Sequence, residues 1–188
     1  MENVTSAVNR WRRWFRPLRK LVPASLLFLV SGCLGYPDSV QPVADFQLER
    51  YLGKWYEIAR LDHSFERGLE NVTAEYSIAE DGGVKVINRG FSTTKKSWNE
   101  AVGKAYFVNT ADQGYLKVSF FGPFYGSYVV FKLGDNYQYA FVTSSSTSYL
   151  WLLSRTPAVS NELLQEFQTL VDSLGFDTDE LILVKQNK

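Results

Sequence analysis

Apolar and polar residues alternate over many short runs between residues 53 and 155, and strict alternation marks half-buried strands. The runs place strands at 53–62, 71–79, 83–91, 97–109, 114–121, 127–133, 137–143 and 148–155. Asp81-Gly82-Gly83, Asp112-Gln113-Gly114 and Gly134-Asp135-Asn136 supply turn chemistry between them. An all-β, eight-stranded antiparallel barrel is predicted, a size that holds either packed side chains or one small ligand. The period then changes: apolar positions 163, 164, 167, 170, 171 and 174 fall at helical spacing, with Ser160 to cap the start and Gly175 to serve the exit. A helix with one apolar stripe packs against the outside of the barrel. Leu181 to Val184 reads as a short final strand.

Alternation also assigns faces. Val72, Ala74 and Tyr76 share one face; so do Val84, Val86, Asn88 and Gly90, and Leu116, Val118 and Phe120. Ala101, Gly103, Ala105 and Phe107 form a face of mostly small residues. Small inward residues in a barrel otherwise built with Tyr, Phe and Trp leave room inside. The competing reading is a filled barrel, with large side chains from across closing the gap. Parity from Trp55 points Glu57 and Ala59 inward and Tyr56 and Ile58 toward the helix; an inward Glu57 needs a polar partner, which the sequence does not name.

The amino-terminal region follows different rules. Arg10, Arg12, Arg13, Arg16, Arg19 and Lys20 precede an apolar run from Leu21 to Val30, and small residues lead to Cys33, the one cysteine. A basic region, a short apolar region and small residues make a secretory signal. With cysteine next, the segment resembles a bacterial lipoprotein signal, which implies removal of residues 1–32, lipidation of Cys33 and an anchor to a membrane outside the cytoplasm. Leu34, rather than Asp, points in that resemblance to the outer membrane. Residues 33–45 contain Pro and Gly and read as a lipidated flexible spacer, leaving 46–188 as the domain.

Charge changes the picture of partners. The leader carries six of the 20 bases and one of the 20 acids, so the remainder has a net charge of −5. Nucleic acid is a poor partner for such a surface. With Cys33 used by the anchor, no thiol is left as a nucleophile or for a disulfide, and one His without free Cys offers no metal site. His63 reads as a solvated loop residue, and the serines of 144–148 have no base at a readable spacing. No cofactor is implied.

Leu52-Gly53-Lys54-Trp55-Tyr56-Glu57 carries the Gly-x-Trp signature that opens the first strand of lipocalins. Tyr139-Ala140-Phe141-Val142 and Tyr149-Leu150-Trp151-Leu152-Leu153-Ser154-Arg155 continue that pattern in order, with an arginine closing strand eight. Lys117 to Gly126 and His63 to Glu70 are similar to the bacterial outer-membrane lipocalin in particular. The resemblance covers about residues 46 to 186; the Thr-Asp-Tyr common in the middle motif is replaced by Gly134-Asp135-Asn136. It implies an up-and-down lipocalin (calycin) barrel, with Gly53, Trp55 and Arg155 as the structural motif and Arg155 stacked on Trp55 at the narrow end. It also implies a pocket for fatty acids or lysophospholipids, in envelope maintenance or lipid transport. The polar groups expected in that pocket are Tyr76, Asn88 and Trp151, and its apolar wall Ala74, Val86, Leu116, Val118, Phe120 and Leu153, with Trp98 near the mouth. The chain reads as a carrier rather than an enzyme. The alternatives are a calycin-type lipid-modifying enzyme and a structural envelope protein with a filled barrel. A homodimer through exposed aromatics stays open.

Overall fold

The computed structural model describes residues 34–187. The expected leader at 1–32 and Cys33 lie outside the described residues. Nine strands follow in chain order: β1 (Gly53–Arg60), β2 (Leu69–Ile78), β3 (Val84–Ser92), β4 (Ser97–Phe107), β5 (Tyr115–Phe121), β6 (Phe124–Leu133), β7 (Tyr139–Thr143), β8 (Leu150–Ser154) and β9 (Ile182–Leu183). A short helix α1 (Leu48–Tyr51) precedes β1, and α2 (Asn161–Ser173) lies between β8 and β9. Each strand from β1 to β8 pairs antiparallel with the next, and β1 pairs with both β2 and β8, so the sheet closes on itself as an eight-stranded barrel. Closure removes the unpaired edges that an open sheet would expose.

Two apolar clusters separate the faces. Trp55, Tyr76, Val84, Val86, Ala105, Leu116 and Leu153 look into the barrel. Ile58, Val129, Phe141 and Leu152 look outward and are covered by Phe167 and Val171 of α2. The Phe141 and Phe167 rings meet edge-on at 4.8 Å. Ser160 caps α2 by accepting from Leu163 N, and Gly175 takes the left-handed φ of +83° just past its end, which a side chain disfavours.

Several boundaries move. β6 begins at Phe124, three residues earlier than expected, because the reversal is confined to Gly122-Pro123. β7 begins at Tyr139, because Asp135–Tyr137 form a 3₁₀ turn in which Asn136 and Tyr137 both have positive φ. The parity of β1 also breaks. Glu57 pairs with Leu153 but Ala59 with Leu152, so a bulge at Ile58 shifts every later residue by one. Ala59, expected inside, therefore packs in the outer cluster, while Arg60 enters the barrel wall beside Glu57.

Residues 34–45 are not a free spacer. Val40 is buried under α2's side of the barrel. Val43 N donates to Val130 O at 2.9 Å and its carbonyl accepts from Gly114 N at 2.8 Å. Gly35 N reaches Tyr115 Oη and Ser127 Oγ at 2.7 and 3.0 Å. The segment is a strap laid along the outer wall. The carboxyl end makes a second one: β9 pairs with Ala59 and Arg60, Asn71 N donates to Lys185 O at 2.8 Å, and Gln186 Nε2 bridges Glu57 O and Val72 O.

Candidate functional site

The barrel is hollow. Its cavity has a volume of about 980 Å³ and opens at one end. The other end is shut by α1, by Phe46 and by Trp55, which is fully buried. The Trp55 indole donates to Tyr51 O at 2.8 Å, and the Arg155 guanidinium covers its face with Cζ 3.9 Å from the ring centre. Arg155 also donates to the carbonyls of Arg50, Lys54 and Tyr137. Burial holds the Arg155 pKa below its usual range. Gly53 adopts φ +90°, a left-handed turn into β1.

All nine residues expected in the pocket line this cavity: Tyr76, Asn88, Trp151, Ala74, Val86, Leu116, Val118, Phe120 and Leu153. Room arises where small residues were expected. Ala101 and Ala105 line the space, whereas beside Gly103 the Phe120 ring fills it, since a Cβ there would stand 2.8 Å from that ring. Trp98 sits at the mouth and is exposed.

The three polar handles differ in what they can offer. Tyr76 Oη is bonded to Tyr128 Oη at 2.7 Å, and Tyr128 Oη also meets Tyr51 Oη at 2.7 Å. Burial pushes all three phenols above their ordinary pKa, so they stay protonated and share their hydrogens. Trp151 Nε1 donates to Glu66 Oε2 at 3.1 Å. Asn88 Oδ1 alone of the three handles is buried without a protein partner. A lining of few polar groups in an apolar wall suits a molecule that is mostly hydrocarbon.

Sequence reasoning missed a charged group in the wall. Arg60 Nη1 donates to Glu57 Oε1 at 2.7 Å, and Nη2 donates to Glu66 O at 2.9 Å. Arg60 is the partner that inward Glu57 requires. The bulge is what brings it there, since residues three apart in a regular strand face opposite sides. His63 is a correction: it is buried, with its ring stacked on Phe65 at 4.2 Å and Nε2 3.4 Å from Glu66 Oε2. Burial, with Arg60 nearby, lowers the His63 pKa from 6.5 to about 4, so the ring is neutral near pH 7. Burial raises the Glu57 carboxyl well above its usual range, helped by Glu66, with Arg60 opposing; burial raises Glu66 as well. No spacing in the sequence signals the pair, because Glu57 and Arg60 share a side only through the bulge.

A hollow barrel with this plug has known counterparts. Residues 46–186 match the lipocalin-like domain family. The chain is a lipocalin. It is 64% identical over 159 residues to the outer membrane lipoprotein Blc of Vibrio cholerae, an alignment covering 84% of this chain and 93% of that one. It is 47% identical over 173 residues to the Blc of Escherichia coli K12, covering 91% and 98%. Among solved structures, insecticyanin from the tobacco hornworm Manduca sexta superposes with a TM-score of 0.63 at 20% identity, covering 82% of this chain and 88% of that one. That likeness shows the fold. Both Blc relatives are named as outer membrane lipoproteins.

Proposed function

We propose that this lipocalin carries single-chain lipids, fatty acids or lysophospholipids, at the outer membrane, with Cys33 as the acylated anchor, in envelope maintenance or lipid transport. The observation that carries the reading is the open cavity of about 980 Å³ in an apolar barrel. That lies toward the upper end of the ~300–1,000 Å³ typical of small-molecule sites. Each buried methylene contributes roughly 0.8 kcal/mol before the cost of association. Ala74, Val86, Leu116, Val118, Phe120 and Leu153 supply the wall for a chain, and Asn88 Oδ1 supplies an acceptor without a partner. The role is binding rather than turnover: His63 is neutral and faces Glu66, and its neighbours are the rings of Phe65, Tyr149 and Trp151.

Native mass spectrometry of the mature chain tests the proposal. The expected result is a co-purified or added lipid of single-chain mass, together with quenching of Trp151 emission by lysolipid. A protein that stays lipid-free, with Trp151 emission unchanged by fatty acid and lysolipid alike, overturns it.

A further inference from the structure

The floor of the cavity is polar, and it holds a hydrogen that the protein does not use. Tyr51 rises from α1 with its ring 4.7 Å from that of Trp55 and 5.2 Å from that of Phe46, so it stands on the plug. Tyr76 reaches the same place from β2, where it pairs with Gly53 at the closed-end start of β1. Tyr128 comes across from β6. Their hydroxyls form one chain, in which Tyr51 Oη and Tyr76 Oη each lie 2.7 Å from Tyr128 Oη. All three side chains line the cavity.

A phenol has one hydrogen to donate. Three phenols joined by two bonds carry one hydrogen more than those bonds consume, whichever way each bond runs. Among the described residues these oxygens have no other partner. Each oxygen is satisfied when counted singly; the surplus shows only when the chain is counted as a whole. Burial raises all three phenols above their ordinary range, so none sheds its hydrogen near pH 7. A buried donor left unmade is costly. Asn88 has the complementary need. It lies on β3 opposite Ala74, one pleat nearer the mouth than Tyr76, and its Oδ1 is buried without a protein donor. Charge narrows what can meet these groups. Glu57 and Glu66 line the same cavity, and the guanidinium at the closed end, that of Arg155, is committed to the Trp55 ring and three carbonyls. The floor therefore favours an uncharged oxygen over an anion.

We infer that the Tyr51–Tyr76–Tyr128 cluster is a recognition site for a hydroxyl or carbonyl at the inner end of a chain lipid, so that the barrel selects hydroxy- and oxo-lipids over plain ones. The inference rests on the carrier reading. A chain that keeps its head at the mouth delivers its far end to the floor. A methyl end leaves the surplus hydrogen unpaired. A hydroxyl or carbonyl there accepts it, and a hydroxyl set slightly back can also donate to Asn88 Oδ1. A wholly apolar floor does the reverse, because burying a hydroxyl without a partner costs more than burying the methyl group it replaces.

The test uses the mature chain and calorimetric titration with matched pairs of saturated fatty acids and their ω-hydroxy counterparts, in a series of increasing chain length. The expected result is that, at the length that reaches the floor, the ω-hydroxy acid binds at least as tightly as its parent. Substituting one end of the cluster, as in Tyr76→Phe, leaves two phenols, one bond and still one surplus hydrogen, so the preference should persist. Only Tyr51→Phe/Tyr76→Phe/Tyr128→Phe removes every donor, and there the hydroxy acid should lose at least about tenfold relative to its parent. A role in packing alone would not move that ratio. A second measurement needs no variant: the infrared carbonyl stretch of a bound fatty acid bearing a ketone next to its terminal methyl should fall below its value in hydrocarbon solvent. A hydroxyl that weakens binding at every length, a ratio unchanged in the triple variant, or a ketone stretch equal to that in hydrocarbon overturns the inference and leaves the carrier reading standing. If neither member of any pair binds, the carrier reading falls and the inference falls with it.

Discussion

Arg155 lies over Trp55 with its guanidinium carbon 3.9 Å from the indole centre, and the same guanidinium donates to three backbone carbonyls around the closed end. One side chain from β8's end thus ties α1, β1 and the Asp135–Tyr137 turn to the plug of the barrel. A cation over a desolvated indole contributes about 2 kcal/mol. Trp55→Ala should cost about 3–5 kcal/mol in urea unfolding, as for other buried tryptophans. Arg155→Lys should also destabilise, because a point charge on a flexible stem cannot cover the ring and serve three carbonyls together. An unchanged unfolding midpoint in either variant would contradict this role.

Arg60 and Glu57 form a buried pair in the barrel wall, with 3% and 5% of their side chains exposed. Removing one partner strands the other charge. Glu57→Leu alone should cost about 3–5 kcal/mol, because the buried guanidinium cannot shed its charge, whereas Arg60→Met with Glu57→Leu should recover most of that loss. Equilibrium unfolding of the two variants at pH 7 decides the matter. A single variant as stable as wild type would show that the pair is solvated.

His63 should make the folded state acid-sensitive. Its folded pKa of about 4 is below its ordinary 6.5, so between those values the unfolded chain binds the extra proton. Its contribution therefore weakens stability as pH falls from 6.5 toward 4. Glu57 and Glu66, whose folded pKa values are raised, act in the opposite sense: the folded state holds their protons, and their contribution declines as pH rises above 4.5. Comparing wild type with His63→Phe isolates the histidine. Urea midpoints measured from pH 7 to pH 4.5 should diverge, with the variant losing less stability on acidification.

The space beside Ala101 and Ala105 should be essential to uptake. Ala101→Trp places an indole in the cavity without touching the plug or the charged wall. Lysolipid affinity should drop at least about tenfold, the loss of a few buried methylenes, while the melting temperature holds or rises. Unchanged affinity would mean that the chain of the ligand lies elsewhere.

Most of the barrel was legible because its strands are half-buried, so alternation exposes their faces. That is why Val86 with Asn88, and Leu116 with Val118, could be placed on the cavity wall from sequence. The break at Ile58 was not legible, because Ile58-Ala59 is apolar on both parities and one extra residue leaves no compositional trace. Everything that depends on it, chiefly Arg60 inside the wall, was hidden with it. His63 was misjudged for a related reason: a loop residue is ordinarily wet, and it is the packing of Phe65, Glu66, Tyr149 and Trp151 around this one that excludes water. The strap at 34–45 is held largely by backbone hydrogen bonds to Val130 and Gly114, and such bonds carry no side-chain signature.

The carboxyl-terminal residues have a consequence for how the molecule is made. β1 and β2 pair directly only from Gly53 to Tyr56, and beyond that the gap between them is spanned by Ile182 to Gln186. Residues 182–186 are the ones that seal the seam. A growing polypeptide can lay down its hairpins in sequence, yet the vessel stays split along one side until these residues have joined the two edges, so a chain cut before Ile182 is a leaking cup.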